Sequence, residues 1–185
     1  ILREVKKIII VFSATYNTRL SKNRGNLLKK YPLSNCLFLN FHESKGPSNL
    51  FYLLNGRETK HGIKIEDKTY EDNKDKIYKK ITKYIKDCDS IVTHNPWGEY
   101  GNHEHIQLYR IMNEIAFKRN LKLFVTGYTS FASSRLMYMN NIKLKDKFFR
   151  RKIDINLFNN LKELYLKTGS WTYYDAYQPP TWEIF

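Results

Sequence analysis

Residues 88–128 read CDSIVTHNPWGEYGNHEHIQLYRIMNEIAFKRNLKLFVTGY. Two short runs, CDSIVTH and LKLFVTGY, flank a segment in which Ile106, Tyr109, Met112 and Ile115 recur at offsets of three, six and nine. Short runs rich in β-branched and aromatic residues are strands, and the spacing predicts an amphipathic helix from about 102 to 118. Strand, loop, helix, strand is the unit from which parallel sheets are built. Residues 95–101 form the loop after the first strand, and in such sheets ligands bind beyond the carboxyl ends of the strands.

The same alternation extends on both sides. VKKIIIVFSA is a continuous apolar run of the kind found in a strand buried on both faces, and NCLFLNF is a second strand. The polar segment between them, TYNTRLSKNRGNLLKKYP, carries a helix in its second half that ends before Pro32. Ile77, Ile81, Tyr84 and Ile85 put one apolar stripe on a lysine-coated helix over 71–87, with acids in its first turn favouring the helix dipole. A last helix over about 154–167 precedes an aromatic tail, GSWTYYDAYQPPTWEIF. The expectation is an α/β fold around a mostly parallel sheet flanked by helices. It forms a single domain over residues 1–185, with residues 168–185 as a wrapped C-terminal extension.

The 185 residues, 42% of them apolar, suffice for one domain with a real core. The longest apolar run, 8–12, is far too short to span a bilayer, and no signal-peptide pattern opens the sequence. A cytoplasmic protein without a transmembrane segment is expected. Cys36 and Cys88 are distant in sequence and outside any CxxC pattern, which favours buried free thiols over a disulfide or a metal pair. The formal charge of +14 raises the question of nucleic acid. The lysines are spread over loops and helix faces, with no arginine-rich arm and no stacking motif, so no specific nucleic-acid partner is expected.

Three of the five histidines, His94, His103 and His105, fall within twelve positions. On a helix, residues three apart share a face and residues two apart point to nearly opposite sides. Asn102 and His105 therefore face one cavity, and His103 faces away if the helix has already begun at 102. His105 is the strongest metal-ligand candidate, with His94, Glu99 and Glu104 behind it. His103 reads equally as a surface or capping residue, and His94 as a hydrogen-bonded structural histidine or a pocket-lining one. Trp97 either stacks on a ligand or pins the loop to the core.

The segment THNPWGEYGNHEH resembles the PIG-L/LmbE-like family of zinc-dependent N-deacetylases, in particular members with a THNP-GEYG-H-x-x-H type of segment. KKIIIVFSATYNTRLSKNR is similar to the family's second strand and the arginine-bearing loop after it. The resemblance runs from about residue 6 to about residue 130 and is most specific over 91–110. It implies a Rossmann-like fold, Zn2+ or another divalent metal as cofactor, and removal of an acetyl group from an N-acetylglucosamine-type sugar or glycoconjugate.

Matched residue by residue, His105 takes the place of the family's last metal ligand, and Asn102 that of the histidine that stabilises the oxyanion. An amide can donate a hydrogen bond to an oxyanion but carries no charge and delivers no proton. His103 substitutes for it if the turn is not yet helical. Arg24, or Arg19, is expected to grip substrate hydroxyls or phosphate, its alternative being a surface arginine. His94, Trp97, Glu99 and Tyr100 would line the substrate site. The family's early HPDDE-type motif, source of its other ligands and of its catalytic aspartate, does not occur here. With no methionine at residue 1, the expectation is an N-terminally truncated chain that is inactive alone. The rival is a carbohydrate-binding or scaffold module of the same fold without the chemistry.

Overall fold

A computed structural model describes residues 5–15, 17–44, 58–59, 62–63, 68–141 and 148–185. The chain divides into two compact units, Ile1–Glu43 with Arg151–Trp182, and Ser44–Arg150 with Glu183–Phe185. The described strands form small two-stranded ladders flanked by helices, so the architecture is mixed α/β. Among the described residues no helix is long and apolar enough to cross a membrane.

In the first unit, β1 (Ile8–Ala14) lies parallel to β2 (Cys36–His42), with Ile8 opposite Cys36 and Ala14 opposite His42. The connection is α1 (Thr18–Leu28), longer at its start than the sequence pattern suggests, because Asn17 caps it by accepting from the Leu20 N–H at 3.0 Å. The register shifts twice after Ile10, and Asn40 sits at the irregularity with φ 57°, receiving the Ser13 hydroxyl at 2.7 Å. Cys36 and Cys88 are free and half-buried. In the tail, Trp171 packs against Tyr173 at 5.6 Å, Tyr173 against Tyr177 at 5.2 Å, and Lys162 lies over Trp171.

In the second unit, β5 (Ser90–Thr93) runs parallel to β6 (Lys122–Val125), each residue of one strand facing its counterpart in the other from Ser90↔Lys122 to Thr93↔Val125. The helix between them is His103–Arg119; with α2 taken as Lys68–Ile81, it is α3. Asn102 is its N-cap, accepting from the N–H groups of Glu104 and His105, and Asn120 in the left-handed region closes it. The apolar surface of α3 is wider than one stripe. Ile106, Ile111 and Ile115 are all but fully buried, whereas Tyr109 is half-buried.

Helix α2 packs Tyr70, Ile77 and Ile81 inward and stops at Ile81, short of the expected 87. There the Thr82 hydroxyl bonds back to the Tyr78 and Lys79 carbonyls, and Lys83 and Tyr84 make tight i−3 bonds that end the helix. Tyr70, Trp97, Ile106 and Leu136 form one core cluster.

Several of the described elements have no counterpart in the sequence reading. Among them are α4 (Ser134–Asn141) and two three-residue strands, β7 (Arg150–Lys152) and β8 (Trp182–Ile184), that pair with each other. Residues 58–63 also contain a two-residue antiparallel pair, β3 (Glu58–Thr59) with β4 (Gly62–Ile63). Gly127 lets the chain end approach β6. Its N–H donates to the Ile184 carbonyl at 2.7 Å, and a Cβ there would lie 3.0 Å from that of Ile184.

Candidate metal centre

The centre is built where β5 ends. Thr126 N–H closes the ladder on the Thr93 carbonyl, and the chain then turns through residues 94–101 before entering α3. Positive φ angles at Gly98 (65°), Glu99 (55°) and Gly101 (86°) fold this loop back on itself. Gly98 is required twice over: the angle favours glycine, and a Cβ there would meet the Ile106 side chain at 2.8 Å. Glu99, at φ 55° and ψ −74°, lies near the strained γ-turn region, which costs on the order of 1–3 kcal/mol and persists only when the surroundings hold it.

They do hold it. The Glu99 N–H donates to Asn95 Oδ1 at 2.8 Å, its carbonyl accepts from the Ser133 hydroxyl, and its Oε1 accepts from the Asn95 N–H and the Thr126 hydroxyl. Asn95 is fully buried, with Nδ2 donating to the Tyr128 carbonyl at 2.7 Å and the Thr126 carbonyl at 3.1 Å.

The remaining oxygen, Oε2, faces two imidazoles, His105 Nδ1 at 2.7 Å and His94 Nδ1 at 3.1 Å. The two rings stack at 3.8 Å, and Tyr100 meets the His105 ring edge-on at 5.5 Å. Burial opposes ionisation of Glu99. The hydrogen bonds from His105 and His94, and their charge, outweigh it and hold the carboxyl below the usual carboxylate range. Glu183, half-buried, is pushed the other way, by burial and then by the charge of Glu99. Two carboxyls with oppositely displaced affinities for protons thus belong to one neighbourhood.

Two imidazole nitrogens and one carboxylate oxygen, all within 4.8 Å of one another, are a donor set for a divalent ion. Ligands on a tetrahedral zinc stand about 3.4 Å apart, so the His105 and His94 nitrogens, at 2.7 and 3.1 Å from Oε2, would each have to move outward from it by less than about 1 Å. An ionised carboxylate is acceptor-only, so each Nδ1 now carries the proton it shares with Oε2. Binding an ion transfers that proton elsewhere, and the stacked rings must turn apart to aim both lone pairs at one point. His94 is placed to turn: it lies on the loop with its side chain 34% exposed, against 24% for His105.

The other sequence candidates separate. Helix α3 has begun by His103, so its ring turns away from His105; Nε2 lies 3.0 Å from the Ser44 hydroxyl, which donates to Glu104 Oε1 at 2.7 Å. His103 is therefore no oxyanion donor for this centre. Of the two alternatives for Trp97 the structure shows the second, a residue that pins the loop to the core: it is 4% exposed, packs in the core cluster and donates Nε1–H to the Tyr128 carbonyl at 2.9 Å. Arg24 belongs to the first unit, and its Nη1 is engaged by Glu43 at 2.6 Å rather than held ready for substrate. Arg19 lies on the same helix. Asn102 commits Oδ1 to capping, which leaves Nδ2 as its available donor.

Sequence reasoning passed over Asn95, Thr126, Ser133 and Glu183. For Thr126 a signal existed, since it follows the carboxyl end of the strand parallel to β5. Comparison with protein-family models, with curated proteins and with solved structures finds no match for this chain.

Proposed function

We propose that this chain carries the metal centre of a hydrolase that removes the acetyl group from an N-acetylated sugar of the N-acetylglucosamine type. The observation that carries the reading is the convergence of His94, Glu99 and His105 at the strand end, inside the segment that resembles the PIG-L/LmbE-like family. Two parallel β–α–β units, β1–α1–β2 and β5–α3–β6, support the Rossmann-like fold that the resemblance implies. A cytoplasmic setting fits the two free cysteines.

His94, Glu99 and His105 would hold Zn2+ or another divalent ion, which would supply polarisation of the acetyl carbonyl and a lowered pKa for a water molecule. The chain's residues supply orientation and charge. Asn102 Nδ2 donates to the carbonyl oxygen as it gains negative charge, a role an amide fills without moving a proton. Tyr100 packs on His105 and limits its ring rotation. Water adds to the acetyl carbon, the C–N bond breaks, and acetate and the free amine leave.

The absent HPDDE-type motif favours a second reading, a carbohydrate-binding or scaffold module with no turnover. Zinc stoichiometry and acetate release, measured on one preparation with N-acetylglucosamine conjugates, separate the two. The hydrolase reading expects about one zinc per chain and, in a chain extended upstream, acetate release that zinc restores after chelation. Neither zinc nor acetate release, in this chain and in one extended upstream, selects the module, which uses the same crevice without metal. No zinc in either defeats the metal mechanism.

A further inference from the structure

The two oxygens of Glu99 are not equivalent. Oε2 faces His94 and His105, while Oε1 accepts from the Asn95 N–H at 3.2 Å and from the Thr126 hydroxyl. A carboxylate oxygen offers two lone pairs in its plane, and both of those on Oε1 are thereby in use. The Thr126 hydroxyl is itself aimed. Of the two Asn95 Nδ2 hydrogens, one goes to the Tyr128 carbonyl and the other is shared between the Thr126 carbonyl at 3.1 Å and Thr126 Oγ1 at 3.3 Å, so Oγ1 accepts there and its own proton points at Oε1. Asn95 is fully buried and held by the Tyr128 carbonyl at 2.7 Å, so the relay from Asn95 through Thr126 to Glu99 starts from a fixed point.

We propose that Thr126 is a positioning residue that sets the denticity of Glu99. By occupying Oε1 it restricts the carboxylate to Oε2, so that an ion in this centre has three protein donors and an open position for water or a substrate carbonyl. The inference rests on the reading that His94, Glu99 and His105 hold an ion. Without the hydroxyl, Oε1 regains a lone pair and the carboxylate closes on the ion with both oxygens, filling the position that chemistry requires to be open.

Cobalt(II) substitution reads this without turnover, since four-coordinate cobalt absorbs visible light several-fold more strongly than five- or six-coordinate cobalt. The full chain, Thr126→Val and Thr126→Ser are titrated with Co2+, and far-UV circular dichroism confirms that each is folded. Thr126→Ala serves the same test should valine lower stability at the strand end.

Wild type and Thr126→Ser, which keeps the hydroxyl, are expected to give the strong band. Thr126→Val is expected to give a several-fold weaker band and an affinity changed by about 10–100-fold, the range for groups that orient metal ligands. A Thr126→Val spectrum and affinity equal to wild type overturn the inference while leaving the metal centre standing. Failure of wild type to bind cobalt overturns the metal reading on which it rests.

Discussion

Replacing Glu99 with glutamine changes one atom and removes one charge. Glutamine has nearly the same shape, and its oxygen can still take the Thr126 hydroxyl and the Asn95 N–H. Its Nε2 then faces two imidazole Nδ1–H groups, where Oε2 had accepted at 2.7 and 3.1 Å. Two charge-assisted bonds are lost, each worth about 1.5–3 kcal/mol, and donors are left facing a donor. Glu99 is only 7% exposed, so little solvent enters to compensate, although the substitution also relieves the burial of a charge. The net expectation is a loss of about 2–4 kcal/mol in chelator-treated protein, measured by urea unfolding followed by circular dichroism.

In the presence of zinc the deficit is larger, because an anionic ligand is gone. Groups that merely orient ligands are worth 10–100-fold, so the Kd should rise by at least about 100-fold, or roughly 2.7 kcal/mol. A competition titration against a chromophoric chelator measures it. A Glu99→Gln variant that is as stable as wild type and binds zinc within about threefold of it would refute the reasoning.

Three further outcomes follow from the geometry. His105→Ala abolishes zinc binding, whereas His103→Ala, on the opposite side of α3, retains it and loses only about 1 kcal/mol through its bond to Ser44, as paired zinc and urea titrations will show. Asn102→Ala removes the N-cap of α3 and costs about 1 kcal/mol in urea unfolding, while Asn102→Asp keeps the cap and its stability but lacks the Nδ2 donor and any acetate release that depends on it. The depressed affinity of Glu99 for protons stabilises the fold above the unfolded carboxylate pKa of about 4.3, and that contribution is lost as pH falls toward the lower folded value. Between pH 5 and pH 3, wild type should therefore lose stability more steeply than Glu99→Gln, and parallel curves would contradict the assignment.

What the sequence disclosed and what it concealed divide along physical lines. The β5–α3–β6 unit was legible because a continuous apolar run and a three-to-four-residue period admit few other structures, and α3 begins one residue from its expected start. The opposed faces of His103 and His105 followed from the same geometry. The loop between β5 and α3 did not. Its course depends on positive φ at Gly98, Glu99 and Gly101, and at Glu99 the conformation is imposed by Asn95, Thr126 and Ser133 against local preference. No periodicity announces that an acid in such a turn points inward, so Glu99 and His94 read as weaker ligand candidates, alongside Glu104, and as lining residues. Trp97 was ambiguous because an indole serves a core or a sugar equally well until its N–H finds the Tyr128 carbonyl. The three-residue strands β7 and β8 are too short to carry an alternation, and α4 begins in a run of serines that favours turns.

Zinc X-ray absorption on the loaded full chain tests the central claim most directly. The account predicts a four-coordinate shell with two imidazole nitrogens and two oxygens, one of which is lost with Glu99→Gln, and no sulfur. A shell containing sulfur, a single imidazole, or oxygen alone would contradict a centre built from His94, Glu99 and His105.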